Sequence, residues 1–306
     1  MRTIEQVNAM QAWSHEVRGR DRARVGLVPT MGALHPGHLS LVEIARRHAD
    51  KVVASVFVNP TQFDRADDFD RYPRDLERDG ALLAAAGVDV LFAPPASEMY
   101  PAGAQTMVAV EHLAEPLCGA HRPGHFRGVA TVVLKLFLIV QPHVAVFGEK
   151  DYQQLALIRR MARDLHLELD VVGAPIVRES DGLAMSSRNR HLDAAERAAA
   201  SCLARALAVA EARVVAGERD VAALVAAARG ELDREPRARV EYVAAVDPET
   251  LEPLARLDDH DSRPSSFTSA AGERALLALA VWIGNTRLID NRVLTVPAAS
   301  RERRSA

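Results

Sequence analysis

Two patterns of apolar positions alternate along the chain up to about residue 175. The first is a short continuous apolar run. Residues 24–29 contain VGLVP and residues 51–58 read KVVASVFV. Runs this short and β-branched suit strands buried on both faces of a parallel sheet. Residues 88–92, 144–147 and 167–172 repeat the pattern. The second is helical spacing, in residues 39–49, 73–86, 131–140 and 152–166, with a proline in the first turn of 73–86. Strands alternating with helices imply an α/β fold, a doubly wound parallel sheet with right-handed crossovers.

After about residue 175 the pattern changes. A Ser/Arg-rich loop leads into an alanine-rich helix over 194–216 and a second helix over 220–232. Strands are expected at 240–246, 274–282 and 287–290. This α+β order reads as a smaller second domain. The expected division is a Rossmann-like domain over 1–176, a C-terminal α+β lid over 177–293 and a disordered tail over 294–306. The polar segment 258–272 (DDHDSRPSSFTSAAG) looks like an inserted loop far in sequence from the motifs below, without a catalytic role.

Composition narrows the function. The 306 residues are 48% hydrophobic and 26% charged, ordinary for a globular protein. A net charge of −3 and only 5% aromatic residues disfavour a broad nucleic-acid surface. Two cysteines, Cys118 and Cys202, cannot build a disulfide framework or a four-cysteine zinc site, and read as reduced thiols. The N-terminus lacks the apolar run of a signal peptide. No stretch is apolar for long enough to span a membrane; the run 129–140 is too short and carries Lys135, so it reads as a buried helix. A cytoplasmic enzyme with small-molecule substrates and no membrane partner is the expectation.

Four motifs carry chemistry. PTMGALHPGH, from Pro29 to His38, sits where a strand ends and a helix begins. Ligands of open α/β sheets bind at such carboxyl ends. Gly32 and Gly37 permit a sharp turn, and a helix start offers N–H groups to phosphate. His35 and His38 can then neutralise charge that builds during displacement at phosphorus. The bland alternatives are a histidine pair that only caps a helix, or part of a metal site that nothing nearby completes. The run FGEKDYQQ, from Phe147 to Gln154, repeats the strand-to-helix setting with Lys150 suited to phosphate and Asp151 suited to ribose hydroxyls or a helix cap. DGLAMSSRN, from Asp181 to Asn189, offers hydroxyls, amides and Arg188 to an anion. FVNPTQF, from Phe57 to Phe63, carries no charge; Gln62 and Phe63 suit a small, polar, branched substrate. Singly, each could be a charged helix start, a linker or a turn. The first three together are far more specific, since each supplies phosphate-binding chemistry at a separate strand end or at the domain boundary.

PTMGALHPGH, SVFVNPTQF, RPGHFRGVATVV, FGEKDYQQL and DGLAMSSRN in this order resemble the pantothenate synthetase family over nearly the whole chain. The HxGH element alone marks only a wider nucleotidylyl-transferase superfamily. GEKDYQQ and SSRN are far more specific. The resemblance implies a ligase that adenylates pantoate with ATP and passes the acyl group to β-alanine, needs magnesium and is a homodimer. It implies that Met31, Gly32, Ala33, Leu34, His35, Pro36, Gly37 and His38 line the ATP site, with His38 the proton donor. Gly148, Glu149, Lys150, Asp151, Val177, Met185, Ser186, Ser187 and Arg188 complete it. Gln62 and Gln154 hold pantoate, with Pro29, Met31, Phe63, Val132 and Val133 around its methyl groups, and Gln62 also meets β-alanine. Leu134 departs from the polar residue the family often has before Lys135. Two rivals share the HxGH element or the fold: a nucleotidylyltransferase that needs no amine, and a non-catalytic nucleotide-binding protein.

Overall fold

The structure is a computed structural model that describes residues 1–64, 66–257 and 274–297. The segment 258–272 and the end of the expected tail, 298–306, lie outside the described residues. The chain divides into two compact units, Met1–Val177 and Arg178–Ala306.

The first unit contains β1 (Arg2–Ile4), α1 (Val7–Gly19), β2 (Val25–Thr30), α2 (Pro36–His48), β3 (Lys51–Val56), α3 (Ala66–Arg71), α4 (Leu76–Ala85), β4 (Val90–Phe92), α5 (Ala96–Met99), α6 (Cys118–His121), α7 (His125–Val140), β5 (Val144–Gly148), α8 (Tyr152–Asp164) and β6 (Asp170–Ala174). Its strands form one parallel sheet in the order β1-β4-β3-β2-β5-β6. From β2 the chain moves outward through β3 to β4, then returns to add β5 and β6 on the other side. The strand order therefore reverses between β2 and β5, where doubly wound sheets open their binding crevice. Pairing sharpens this. β2 follows β3 as far as Thr30↔Val56, but pairs with β5 only at Gly26↔Val144 and Leu27↔Ala145. Pro29, which has no N–H, lies where the β5 ladder has ended.

Several expected boundaries move for local reasons. β1 and α1 were not among the elements read from the pattern. The strand after Lys51 ends at Val56, and the Asn59-Pro60 turn follows. The helix expected from residue 73 starts at Leu76, where the Asp75 carboxylate caps the Arg78 amide, so Pro73 lies ahead of it. The last strand of the sheet begins at Asp170, because Leu167 still donates to Ala162 at the end of α8. The largest change is in α7, which starts at His125, six residues before the expected 131. Gly124, at φ 79°, turns the chain into it. Most of α7 is buried, including Phe126, Val129, Leu136 and Val140, which explains its lack of a polar face. No helix among the described residues is long and apolar enough to cross a membrane.

The second unit packs α9 (Ala194–Ala199), α10 (Cys202–Val215) and α11 (Val221–Leu232) on an antiparallel sheet of β7 (Ala238–Val246), β8 (Arg274–Ile283) and β9 (Thr286–Thr295), ordered β7-β8-β9. The single helix expected over 194–216 is broken at residues 200–201, where the Ser201 hydroxyl donates back to the Ala198 carbonyl. The strand expected over 287–290 runs on to Thr295, with Leu294 and Val296 buried, so the expected tail cannot begin at 294.

Candidate active site

Most candidate site residues of the first unit lie at the carboxyl ends of β2, β3 and β5, three adjacent strands, or in the first turn of the helix that follows; Val132 and Val133 lie on α7. After β2 the backbone enters the left-handed region twice in succession, at Gly32 (φ 83°) and Ala33 (φ 53°). The Ala33 and Leu34 amides donate to the two carboxylate oxygens of Asp79, at 2.7 and 2.8 Å. These amides are therefore not open to phosphate. His35 follows as the extended cap of α2, with Pro36 in its first turn, and its carbonyl accepts from the His38 amide at 2.8 Å. The spacing of three does bring the imidazoles together, with ring centroids 4.0 Å apart. Burial lowers the His38 pKa to about 3; His35 and Lys150 push the same way and Asp151 opposes them. His38 is thus a neutral imidazole at pH 7. Its Nδ1 is buried and has no hydrogen-bond partner among the described residues.

After β5, Glu149–Asp151 form a 3-10 turn that runs into α8. Lys150 Nζ is 4.0 Å from an Asp151 carboxylate oxygen, and its side chain is only 18% exposed. Asp151 occupies the cap position of α8 but makes no capping bond. Its charge instead acts on both His38 and His125. Gln153 and Gln154 divide their work. Gln153 is buried and clasps a loop, donating to Leu113 and Pro116 carbonyls and accepting from the Cys118 amide. The partly exposed Gln154 amide bonds to no other described residue.

After β3, Pro60–Gln62 form another 3-10 turn. Gln62 is buried, accepts from Asn59 Nδ2 at 3.0 Å, and its own Nε2 lies 3.1 Å from the Met31 sulfur. Asn59, 1% exposed, also donates to the Gly128 carbonyl and accepts from the Tyr100 and Thr61 hydroxyls. From the other side His125 Nδ1 lies 2.7 Å from the Gln62 carbonyl. A carbonyl only accepts, so His125 carries its proton on Nδ1 and turns Nε2 toward Arg122, 3.2 Å away. Arg122 also donates to the Gln62 carbonyl and pairs with Asp64 at 3.0 Å. Burial first, then Arg122, lowers the His125 pKa to about 4, and its bond to the Gln62 carbonyl opposes the shift. Gly128 lets α7 reach this turn. A Cβ there would lie 2.2 Å from the Thr61 carbonyl oxygen.

A close histidine pair, a largely buried lysine and two amide side chains now stand at or just beyond the carboxyl ends of three neighbouring strands. Residues 2–293 match the model of the family described as pantoate-beta-alanine ligase. The pantothenate synthetase of Heliobacterium modesticaldum is 55% identical over 97% of this chain and 100% of its own length. That of Geobacter sulfurreducens is 55% identical, with 96% and 99% covered. The chain belongs to the pantoate–β-alanine ligase family. Its reaction is the ATP-dependent condensation of pantoate with β-alanine. Solved ligases of the family agree. The Thermus thermophilus enzyme superposes with a TM-score of 0.85 at 50% identity, covering 95% of this chain and 99% of that one. The Francisella tularensis ligase, solved in complex with β-γ ATP and β-alanine, gives 0.73 at 31% identity over 96% and 97%.

Most residues that the motifs singled out for the ligase fall in this first unit. Pro29 and Met31 are partly exposed at the end of β2, while Gly32, Ala33 and Leu34 are buried. Gly37 and Gly148 are partly exposed, and a Cβ at Gly148 would meet open space. Phe63 packs edge-on against Phe69 and Tyr72. Val132 and Val133 are both buried on α7. Val132 lies one turn beyond Gly128, on the stripe that meets the Gln62 turn; Val133 is rotated from it by about 100°. Leu134 is partly exposed on the same helix. Val177 is the last residue of the first unit. Met185, Ser186, Ser187 and Arg188 belong to the second unit, where all four are partly exposed. There Asn189 donates to Glu179 and to the Ala184 carbonyl, and Arg197 holds Glu179 and Asp181. Sequence reasoning did not single out Asn59, Asp79, Arg122 and His125 as parts of the site. A mid-helix glycine is the one available signal, since such a residue often marks close packing.

Proposed function

We propose that the ligase works in two steps, through a pantoyl adenylate formed before the amine attacks. The observation that carries this reading is the grouping at the ends of β2 and β5: His35 and His38 with rings 4.0 Å apart, and Lys150 and Asp151 acting electrostatically on His38. The two imidazoles and Lys150 can each donate to phosphate, and the Lys150 ammonium can offset its charge, whereas Asp151 opposes the depression of the His38 pKa. A carboxylate is a poor electrophile until its oxygen is esterified to AMP. The first task is therefore to bring the pantoate carboxylate and the α-phosphate together despite their charges. His35, His38 and Lys150 serve that task, and neutral His38 can donate a hydrogen bond as pyrophosphate leaves. Arg188, with Ser186, Ser187, Met185 and Val177, is assigned to the nucleotide on its motif, as are Gly148 and Glu149. Gln62 and Gln154 hold pantoate, with Pro29, Met31, Phe63, Val132 and Val133 around its methyl groups. Gln62 also meets β-alanine, whose binding in the Francisella enzyme supports an amine site here.

Magnesium accompanies ATP in this reading. The described residues hold no group of three His, Cys, Asp or Glu fit to cage a metal, so the ion is assigned to the ATP phosphates and water, its usual partners. A cytoplasmic homodimer, with residues 1–176 binding nucleotide and pantoate and 177–293 serving as a lid, completes the proposal. The test is isotope exchange between pyrophosphate and ATP. Exchange that needs pantoate but no β-alanine is expected, with about one equivalent of acyl adenylate per site after rapid quenching. AMP appearing only when all three substrates are present, with no exchange, would mean a concerted attack and defeat the scheme.

A further inference from the structure

We propose that Asp79 is a positioning residue for adenylation, and that its carboxylate holds the loop after β2 in the shape that presents His35 and His38. The inference rests on reading those histidines as the groups that meet the ATP phosphates. Asp79 stands in the first turn of α4, and its residue is 1% exposed. Each of its oxygens accepts one loop amide, Ala33 N at 2.7 Å and Leu34 N at 2.8 Å. Its nearest cation in the described structure, Arg78, is 3.9 Å from one oxygen. The loop amides are thus the closest compensation of a buried anion, and both sides lose if the pair separates.

The loop needs such a clamp. Ala33 holds φ 53°, a region that residues with a Cβ rarely adopt and leave when nothing enforces it. Gly32, at φ 83°, passes so close that a Cβ would come within 2.8 Å of Asp79 Oδ2 and 3.2 Å of Val56 Cγ1. His35 begins one residue after the second clamped amide. A change of backbone at Ala33 would therefore swing both imidazoles. The loop is shaped by α4, through a contact that no nucleotide makes, and so is formed before ATP arrives. Asparagine is the discriminating replacement. It keeps the size, but one of its two terminal atoms is an NH₂, which meets a loop N–H donor to donor.

The experiment compares Asp79→Asn, Gly32→Ala and the double variant Asp79→Asn/Ala33→Gly with the wild-type full chain. It reads kcat and KM for ATP in pantoate-dependent pyrophosphate exchange, and KM for β-alanine in the complete reaction. Asp79→Asn is expected to lower kcat/KM for ATP about 10- to 100-fold, since misplacing a catalytic group by about 1 Å costs on that order. The β-alanine KM should stay within about twofold, a split that general destabilisation would not give. Ala33→Gly should restore about fivefold or more to Asp79→Asn, because glycine takes the left-handed conformation unaided. Gly32→Ala approaches the clamp from the loop side with α4 intact, and should reproduce the ATP defect even if Asp79→Asn does not fold. Folded Asp79→Asn or Gly32→Ala with exchange within about twofold of wild type would overturn the inference, as would a double variant no faster than Asp79→Asn. His38→Gln separates the layers. If it keeps full exchange, the phosphate reading fails and takes this inference with it; if it is inactive while Asp79→Asn is normal, only the clamp is wrong.

Discussion

Gly128→Ala pits helix propensity against packing at one atom. In the middle of α7, alanine should be favoured over glycine by about 0.5–1 kcal/mol. The new Cβ, however, would stand 2.2 Å from the Thr61 carbonyl oxygen, 2.5 Å from its carbon and 2.7 Å from the Gln62 nitrogen. A comfortable carbon–oxygen contact is about 3.3 Å, so the helix and the turn must part by roughly 1 Å. All three atoms are backbone, and no flexible side chain can absorb the displacement. Overpacking of this kind costs about 1–3 kcal/mol. Separation also strains the Asn59 bond to the Gly128 carbonyl, 3.2 Å long and buried, worth about 1 kcal/mol more. Packing wins, and a net loss of roughly 1–3 kcal/mol is expected. The same movement shifts Gln62, whose amide contacts Asn59 and whose carbonyl is held by His125. Denaturant unfolding with and without pantoate, and KM for each substrate, read the two effects. Pantoate KM should rise at least about tenfold while ATP KM changes little. A variant as stable as wild type with an unchanged pantoate KM would refute the reasoning, because the turn could then yield without moving Gln62.

Three other outcomes follow from the same geometry. Lys150→Ala should fold normally and lose about 10²–10³ in adenylation rate, checked by pyrophosphate exchange; near-normal exchange would remove Lys150 from the phosphate site. Gln154→Ala should raise pantoate KM with stability unchanged, whereas Gln62→Ala should add a stability loss of about 1 kcal/mol, since only Gln62 is bonded to Asn59; equal melting temperatures for the two would contradict this. Acid should destabilise the enzyme below pH 6.5. His38 and His125 take up protons there when unfolded but not when folded, until about pH 3 and about pH 4 respectively. The stabilisation is complete above pH 6.5 and is lost as pH falls through the folded-state values, with a slope of up to about 1.4 kcal/mol per pH unit for each group. His125→Gln should flatten the slope between pH 4 and 6.5 in urea titrations, and an unchanged slope would show that His125 titrates normally.

What could be read from the sequence depended on what kind of signal each residue leaves. Buried parallel strands announce themselves as apolar runs, so β2, β3 and β5 and the motifs at their ends were readable. The edge strand β1 is only three residues long and α1 carries polar residues between its buried positions, so neither stood out. The start of α7 was hidden because PGHFRG reads as a turn: Gly124 does turn the chain, yet Gly128 four residues later lies inside the helix, where only contact with the Thr61 backbone explains it. Asp79 was hidden differently. In DLERDG it looks like any charge on a solvated helix, and its burial follows from the packing of α4 against the loop after β2, which no local pattern encodes.

Asp79 and Gly128 also divide the site. Each acts on backbone: Asp79 accepts the amides that precede His35, and Gly128 admits the carbonyl that precedes Gln62. Where they leave β2 and β3 the chains are joined by the Phe57 amide on the Thr30 carbonyl at 3.1 Å; further out the described contact is Gln62 Nε2 to the Met31 sulfur at 3.1 Å, and thioether sulfur is a weak acceptor. The contact is soft, so a displacement on one side should be poorly transmitted to the other. Perturbing the Asp79 clamp should then fall on ATP and perturbing Gly128 on pantoate, with free energies that add when the two changes are combined, as for sites without a shared rigid partner. Strong non-additivity in the double variant would mean that the Met31–Gln62 contact couples the halves, and that the ligase senses through it whether the second substrate is in place.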